Sequence, residues 1–387
     1  MGGDRLTQYR KGTNYLIKNI NTANVLDVIK KMQPISRVKI SKILNMSKST
    51  VSGIVDELIK EGLVSEEGFG NTASAGRKPI ELTFNPNAKF SIGIDIESTN
   101  TIGVLTNLEG KIIKKIKRPT GIKEKAFLNT VKIIKELLEH RDDIAGIGVG
   151  APGITNIEKG TVYAPGLSWV DFNLLSKLKE TFDYDIFIDN SVNYAALGER
   201  WIGSCKDVNN FVLVTIGNGI GSGIYINGKL VRGHKYSAGE VGYMAIGRDA
   251  LGKKYFYEDY GYFESKASLL GLVSTLKNMS NGKFDTIEDF VNGYLTKDEI
   301  CIKAFEEFIE NLSMGFANII SILNPELIVI AGDVINLGID IVDSIKKLVE
   351  KMVPFDAKII YTKLNEDAAA IGASADVLLK TNYLILI

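Results

Sequence analysis

Apolar residues recur at helical spacing through residues 24–64 of the chain. Val25, Ile29 and Met32 lie three or four positions apart, and the segment RVKISKIL fits a second, shorter helix. From Ser47 onward the apolar positions follow the i, i+3, i+4, i+7 spacing of an amphipathic helix. These positions are Val51, Ile54, Val55, Leu58 and Ile59. Because a serine hydroxyl can accept from the free amides of a first helical turn, Ser47 predicts the start of a helix over 47–60.

The opposite face of the helix 47–60 carries short or basic side chains that suit contact with DNA. The candidate contact residues are Lys48, Ser49, Thr50 and Ser52. Two β-like runs follow, GLVSEEG and PIELTFN, and the glycine-rich segment between them carries Arg77 and Lys78, which can reach phosphates or a minor groove. Together these features predict a DNA-binding winged helix-turn-helix domain over 15–85. A three-helix packing module with a polar face is the alternative.

Beyond residue 89 the pattern changes to apolar strands separated by polar turns. The stretch that starts at KFSIGIDIESTN predicts strand, polar turn, strand, tight turn, strand, and the stretch from NNFVLVTIGNG repeats this plan roughly 120 residues later. Two copies of one unit predict a duplicated α/β fold over 89–387, with lobes of about 89–190 and 191–387 and a cleft between them. A coincidental likeness of two hairpins is the alternative.

The composition is that of an ordinary globular protein. Of the 387 residues, 45% are hydrophobic and 24% are charged, and 46 basic side chains balance 46 acidic ones. Overall charge therefore does not indicate nucleic-acid binding, and any basic surface must be local. Two distant cysteines, Cys205 and Cys301, indicate a reducing compartment. Because the N-terminus is charged and the apolar runs are short, we expect neither a secretory signal nor a membrane partner. We therefore expect a cytoplasmic protein.

Polar side chains crowd the end of one apolar strand in the stretch FIDNSVNYAALGE. Asp189, Asn190, Ser191 and Asn193 separate this strand from a helix over 194–199. Small ligands of α/β proteins usually bind at the carboxyl ends of strands. The stretch therefore predicts a ligand site.

Four motifs together resemble the ROK family of repressors, open reading frames and sugar kinases. They are IGVGAPGITN, DNSVNYAALGE, IGNGIGSGIYINGKLVRGHKYSAGEVGY and FESKAS, and the resemblance runs from about residue 20 to 376. It implies an α/β actin-like ATPase-type (ROK sugar kinase) fold in two lobes behind a mostly helical DNA-binding head. The head is typical of the family's repressors and is lacking in its glucokinases.

The positions that carry phosphoryl transfer in this family are altered. Its kinases have Asn-Asp after the strand, the Asp being the general base, whereas this chain has Asn190-Ser191. A serine hydroxyl is not a base near pH 7 without an activating partner. The first phosphate loop, Asp-x-Gly-Gly-Thr in the family, has Glu97 and Ser98 in place of both glycines, and Asp333 replaces another glycine. The resemblance therefore implies a protein that is not an enzyme and has no cofactor.

The structural zinc site of the family is also replaced. Its His and three Cys positions correspond here to Tyr243, Tyr255, Tyr257 and Tyr262. A tetrahedral zinc site needs thiolate or imidazole ligands, so no bound metal is expected. The tyrosines can fill the volume as an aromatic cluster.

The resemblance assigns sugar recognition to polar groups that remain. Asn190, Glu240 and Glu264 fall at the family's positions for ligands of sugar hydroxyls, and amides and carboxylates can each hold two adjacent hydroxyls. The full candidate sugar site comprises Asn190, Glu240, Glu264, Gly153, Ser191 and Tyr243. A surface or hinge salt bridge is the alternative role for each carboxylate.

The sequence thus predicts a sugar-responsive repressor of carbohydrate-utilisation genes. We expect it to bind operator DNA as a homodimer, because two half-sites about 34–36 Å apart need two recognition helices. Its expected effector is an unphosphorylated monosaccharide, with xylose ahead of glucose, because the missing base would have contacted the sixth-carbon hydroxyl that a pentose lacks. Two other interpretations remain open. One is an active sugar kinase with a regulatory DNA-binding head, and the other is a DNA-binding protein whose second domain only dimerises.

Overall fold

The chain divides into two units, Met1–Lys89 and Phe90–Ile387. The computed structural model describes residues 14–69, 80–250 and 261–383. Within these ranges, none of the helices has both the length and the apolar character needed to cross a bilayer.

In the first unit, helices pack on a small antiparallel sheet. The helices are α1 (Asn14–Met32), α2 (Arg37–Leu44) and α3 (Lys48–Lys60), and the strands are β1 (Ile35–Ser36), β2 (Val64–Phe69) and β3 (Ile80–Phe84). The strands lie in the order β1-β3-β2. This arrangement is the predicted winged helix-turn-helix, with β2 and β3 flanking the wing.

Helix α3 begins where the sequence predicted. The Ser47 hydroxyl accepts a hydrogen bond from the amide of Thr50 at 3.0 Å and so caps the first turn. The apolar face of the helix is inside the unit, with Val51, Ile54, Val55 and Leu58 buried and Ile59 half-buried. Burial of this face fixes which side of α3 remains available to solvent.

The second unit is built around two sheets joined by helices. Its strands are β4 (Phe90–Ile96), β5 (Asn100–Asn107), β6 (Ile112–Pro119), β7 (Ile144–Ala151), β8 (Ile154–Asn156), β9 (Thr161–Ala164), β10 (Trp169–Phe172), β11 (Ile186–Asn190), β12 (Phe211–Ile216), β13 (Ile220–Ile226), β14 (Lys229–Leu230), β15 (Leu327–Ala331) and β16 (Lys358–Tyr361). Its helices are α4 (Glu124–Leu138), α5 (Leu174–Thr181), α6 (Ser191–Trp201), α7 (Tyr262–Ala267), α8 (Leu269–Met279), α9 (Ile287–Leu295), α10 (Glu299–Leu323), α11 (Val342–Met352) and α12 (Ala368–Lys380).

The two large sheets have the same topology. Their strand orders are β6-β5-β4-β7-β11 and β14-β13-β12-β15-β16. In each sheet an antiparallel meander of three strands is followed by two parallel strands. The predicted internal duplication is therefore confirmed. Strand β4 lies at the centre of its sheet and is buried along its whole length. Strands that are covered on both faces carry nearly continuous apolar runs.

The last helix, α12, returns to the first sheet. It packs on β4, β7 and α6. A glycine in β4 allows the close approach, since a Cβ on Gly93 would lie 1.8 Å from the carbonyl oxygen of Ala370. The hydroxyls of Ser91 and Ser374 share a hydrogen bond at 2.5 Å across the same contact. The last helix of the predicted lobe 191–387 thus packs against the sheet of the first lobe.

Candidate functional site

The polar stretch at the end of β11 forms the first turn of α6. This helix begins at Ser191 and not at Tyr194, because the side chain of Asn190 caps it. The Asn190 side-chain oxygen accepts from the amide of Val192 at 2.7 Å and from that of Asn193 at 3.3 Å. The polar groups that sequence reasoning placed in a loop therefore surround a helix N-terminus, which favours electron-rich ligand atoms.

Gly153 contributes backbone to the same place. Its carbonyl accepts a hydrogen bond from the side-chain nitrogen of Asn190, and its φ is +71°. A Cβ at this position would lie 2.3 Å from the carbonyl oxygen of Tyr163, so glycine is required. A Cβ on Gly150, near the end of β7, would lie 3.1 Å from the Ser191 hydroxyl. The GAPG segment thus lines the strand end beside Asn190 and Ser191.

Ser191 has a carboxylate partner. Its hydroxyl donates to Asp95, near the end of β4, at 2.5 Å. Asp95 is buried, and burial raises its pKa to about 6 while the Ser191 hydrogen bond lowers it. Sequence reasoning missed this pair because its members are 96 positions apart. Above pH 6 the carboxylate is ionised and can accept the serine proton.

Glu240 and Glu264 lie close enough to interact. Glu264, in α7, accepts a hydrogen bond from the amide of Ile220 at 2.8 Å, which lowers its pKa against the larger, raising effect of desolvation. Desolvation, and then the charge of Glu264, raise the pKa of Glu240 to about 7. Two half-buried carboxylates side by side suit a ligand that presents several hydroxyls.

Strand β13 connects the two parts of the candidate site. Ile220 binds Glu264 through its amide, and the next residue, Gly221, faces the first turn of α6. A Cβ on Gly221 would lie 3.1 Å from the side chain of Val192. Adjacent residues of one strand therefore contact the two parts of the site: Ile220 binds Glu264, and Gly221 lies beside the α6 N-terminus. Tyr243, the remaining residue of the predicted set, lies in a helical turn just after Glu240 and is 49% exposed.

Sequence reasoning missed Arg232. Its Nε and Nη2 both donate to the Oδ2 atom of Asp189, at 2.8 and 2.7 Å. Asp189 is 2% exposed, and its Oδ1 atom accepts from the amide of Asn190 and from the side chain of Asn193. An arginine eight positions before Glu240 was visible in the sequence. Nothing in its local pattern connected it to the end of β11.

The first phosphate loop is acidic. Desolvation and the negative charges of Asp95 and Asp333 raise the pKa of Glu97 to about 8, against an opposing effect of Lys117. Asp333 also lies beside the turn 217–219 between β12 and β13, here called the second loop, since a Cβ on Gly217 would be 3.5 Å from its carboxylate. The carboxyl groups of Asp95, Glu97 and Asp333 therefore lie close enough to one another to interact.

A cavity opens beside the second loop. It measures about 260 Å³ and is lined by Asn218, Leu269, Leu270, Val273, Ile287, Asp333, Asn336 and Leu337. Its walls are mainly aliphatic, with two amides and one carboxylate at the edge. The residues that line it are not those of the candidate sugar site.

In the first unit, the polar face of α3 is available to a partner. Lys48, Ser49 and Thr50 are exposed, and Ser52 is half-buried. The hydroxyls of Ser49 and Thr50 each share a hydrogen bond with that of Ser47, at 2.8 and 2.7 Å. The side chain nearest the start of the helix, Lys48, provides a positive charge at this face.

Arg37 attaches α2 to both α3 and the wing. Its Nη1 donates to Asp56 at 2.7 Å and its Nη2 to Glu66 at 2.8 Å. The wing strand β2 is thereby held against the helix that carries the candidate DNA contacts. The predicted wing-tip residues Arg77 and Lys78 lie outside the described residues.

Family models match both units. The ROK family model matches residues 91–380, and the MarR family model matches residues 19–67. The chain belongs to the ROK family. A xylose repressor from Caldicellulosiruptor bescii is 32% identical to it over 400 residues, with 95% of this chain and 97% of that protein covered. A glucokinase from Halalkalibacterium halodurans is 30% identical over 309 residues, covering 73% of this chain and 93% of the enzyme.

A solved ROK structure has the same fold. It is described as a ROK family transcriptional regulator, homolog of E. coli MLC protein, and superposes with a TM-score of 0.80 at 24% identity. The comparison covers 95% of this chain and 97% of that one. The predicted fold, a winged helix-turn-helix followed by a ROK kinase-type fold, is therefore confirmed.

Two of the four positions that correspond to zinc ligands in the ROK family lie within the described residues. Tyr243 is exposed and Tyr262 is buried in the first turn of α7, whereas Tyr255 and Tyr257 lie outside the described residues. Within 14–69, 80–250 and 261–383, no three His, Cys, Asp or Glu side chains are grouped as a metal ion would require. His234, one of two histidines in the chain, lies exposed in the loop before Glu240.

Proposed function

We propose that this ROK protein is a sugar-responsive transcriptional repressor that acts in the cytoplasm. Its α3 helix binds operator DNA through Lys48, Ser49, Thr50 and Ser52. A monosaccharide binds at the α6 N-terminus of the second unit and releases the DNA. Support comes from the union, in one chain, of an exposed recognition helix and a kinase-type sugar site that has Ser191 at the position of the base. Relatives that match over nearly their whole length are named xylose repressors.

The sugar site in this proposal consists of the groups that face the strand end. Asn190, Glu240 and Glu264 hold sugar hydroxyls, Gly153 and Ser191 line the floor, and Tyr243 closes the rim. Desolvation, and then the charge of Glu264, raise the pKa of Glu240 to about 7. Because two acidic groups disfavour an anionic ligand, the effector is an unphosphorylated sugar. Xylose is favoured over glucose, since Ser191 replaces the base that would contact a sixth-carbon hydroxyl.

The protein is proposed not to transfer phosphate. Ser191 replaces the general base, and Glu97 and Asp333 replace glycines where phosphates would approach the backbone. Desolvation, and then the charges of Asp95 and Asp333, raise the pKa of Glu97 to about 8. Each of these changes opposes a nucleoside triphosphate at the first loop.

One observation favours the alternative of an active sugar kinase. Asp95 accepts the Ser191 hydrogen bond and has a pKa of about 6, so the serine has the activating partner that its sequence position lacked. A sugar hydroxyl could pass its proton through Ser191 to Asp95. The acidic first loop opposes this role, because the phosphoryl donor would need to bind beside Glu97.

The proposal further includes a homodimer, since paired half-sites in DNA need two recognition helices. Analytical ultracentrifugation of the protein with a duplex of its operator would give two chains per duplex. One chain per duplex at saturation would contradict this part.

Calorimetry combined with a coupled ATPase assay tests the function. The purified protein is titrated with D-xylose, D-glucose, N-acetyl-D-glucosamine and the corresponding sugar phosphates. We expect binding of a free sugar and no ATP turnover with any of them. Binding of sugar phosphates alone, or ATP turnover with a free sugar, would refute the proposal. Absence of all sugar binding would support a second unit that only dimerises.

A further inference from the structure

Residues 231–239, here called the clasp segment, join strand β14 to Glu240. The segment is closed on itself by a hydrogen bond from the amide of Ala238 to the carbonyl of Arg232, at 3.1 Å. Its last residue, Gly239, is fixed to β13, because its carbonyl accepts from both the amide and the hydroxyl of Ser222, at 2.8 and 3.0 Å. Arg232 and Glu240 are therefore connected by a short stretch of backbone that is hydrogen-bonded both within itself and to β13.

The clasp segment contacts the first lobe through an ion pair. Arg232 places two donors on Oδ2 of Asp189, at 2.8 and 2.7 Å. Asp189 is buried, and its Oδ1 holds the amide of Asn190 at 2.7 Å and the side chain of Asn193 at 2.9 Å. Charge-assisted bonds of this kind are shorter and stronger than neutral ones. Both oxygens of the buried carboxylate are thus occupied, Oδ1 by the residues around the start of α6 and Oδ2 by the clasp segment.

A second contact joins the same two lobes. Glu158, between β8 and β9, interacts with the phenol of Tyr236 and raises its pKa. Tyr236 has a φ of +60°, a conformation that a tyrosine rarely adopts unless its surroundings hold it. The clasp segment is therefore held to the first lobe by the Arg232 ion pair, and Tyr236, four residues further on, interacts with Glu158 of the same lobe.

We propose that Arg232 is a positioning residue for the sugar site. It holds the segment that carries Glu240 against the strand end that carries Asn190 and Ser191, and so sets the distance between the two halves of the site. The inference rests on the proposed function, because the groups it positions are the proposed sugar ligands. Arg232 acts through Asp189 and does not touch the sugar.

Three variants that remove charge, one that keeps it and a control test this role. Arg232→Met removes the charge while keeping a long side chain, Asp189→Asn removes the partner charge at constant shape, and the double variant combines them. Lys235→Ala removes an exposed positive charge from the same segment and is the matched control. Titration calorimetry with D-xylose and with D-glucose measures sugar affinity, at a temperature where melting curves show every variant folded.

We expect each single variant to weaken sugar binding about tenfold, a size usual for residues that couple sites without touching the ligand. The double variant should lose no more than either single one, because both changes break the same ion pair. Arg232→Lys should restore most of the affinity by keeping one charge-assisted bond. Unchanged affinity in Arg232→Met, or losses that multiply in the double variant, would overturn the proposal.

Amide hydrogen exchange of the sugar-free protein tests the same role without any ligand. Arg232→Met and Asp189→Asn should speed exchange in 186–193 and 231–240 together, about tenfold, while Lys235→Ala leaves both segments unchanged. Unaltered exchange in the two segments would refute the positioning role, whether or not sugar binds. Failure of the wild-type protein to bind either sugar would refute the proposed function alone.

Discussion

Three acids of the second unit have pKa values moved toward neutrality. Burial raises Asp95 to a pKa of about 6, burial and Glu264 raise Glu240 to about 7, and desolvation with neighbouring acids raises Glu97 to about 8. Groups that titrate between pH 6 and 8 cluster at functional sites more often than elsewhere. The candidate sugar site and the first phosphate loop therefore change charge between about pH 6 and pH 8.

Sugar affinity should depend on pH through Glu240. A carboxylate accepts hydroxyl hydrogen bonds more strongly than the neutral acid, and Glu240 is ionised only above its pKa of about 7. We expect D-xylose to bind about tenfold more weakly at pH 6 than at pH 8, following the ionised fraction. Calorimetry at pH 6, 7 and 8 measures this. Glu240→Gln should bind weakly and without this pH dependence, and an equally steep profile in that variant would exclude Glu240 as its source.

Glu97 should make the folded protein less stable as pH rises. Its pKa is raised from 4.5 to about 8 in the folded state, so folding favours the protonated acid. This contribution is complete below pH 4.5 and is lost as pH rises through 8. Glu97→Gln should therefore stabilise the protein at pH 8.5 by up to about 1 kcal/mol, a size limited by solvent screening, and have little effect below pH 4.5.

Urea denaturation at the two pH values measures the effect of Glu97→Gln. Glu310→Gln, on the exposed side of α10, is the matched control. Equal stabilisation by Glu97→Gln at both pH values would show that charge is not the cause.

At the scale of elements, helix α3 carries the proposed DNA contacts. Its first turn presents an exposed Lys48, whereas Lys60 is exposed at the other end of the same helix. Lys48→Ala should weaken operator binding by about 1–3 kcal/mol if it reads a base, and Arg77→Ala should reduce the salt slope by about 1 if it contacts a phosphate. Lys60→Ala is the control. Fluorescence anisotropy of labelled operator over a salt series measures these effects. Wild-type affinity in both Lys48→Ala and Arg77→Ala would exclude this docking.

Local elements were predictable because their signals are local. The Ser47 cap, the apolar stripe of α3 and the repeated strand-turn-strand pattern lie within short windows of sequence. Contacts between distant residues were not predictable in this way. Ser191 and Asp95 are 96 positions apart, and Arg232 and Asp189 are 43 apart, so only the packed sheets bring them together. The return of α12 to the first sheet was missed for the same reason.

The segment of the replaced zinc ligands should fold without metal. Tyrosine side chains at 243 and 262 offer neither thiolate nor imidazole, and zinc sites are built from such groups. Elemental analysis after dialysis should find far less than one zinc per chain. A chelator should leave the melting temperature unchanged, because no metal-binding energy is coupled to folding. Stoichiometric zinc, or a melting temperature lowered by the chelator, would contradict this.

At the scale of the whole molecule, the chain combines a DNA-binding unit with a sugar-binding one. A sugar can release DNA only if it binds the DNA-free protein more tightly than the DNA-bound protein. The coupling must also be reciprocal, since each ligand changes the affinity of the other by the same factor. The clasp segment and the sites near it are candidates for carrying the difference between the two states.

Operator DNA should therefore weaken sugar binding. If sugar reduces operator affinity by a given factor, typically about 5–150-fold, saturating operator duplex must reduce sugar affinity by that same factor. Calorimetric titration of D-xylose into the free protein and into the protein–operator complex measures one side of the cycle, and anisotropy of labelled operator with and without sugar measures the other. Glu240→Ala should bind operator normally and lose its response to sugar, since it lacks a proposed sugar ligand. Identical sugar affinity in the free and DNA-bound protein would refute sugar-driven release, because equal affinity for both states shifts no equilibrium.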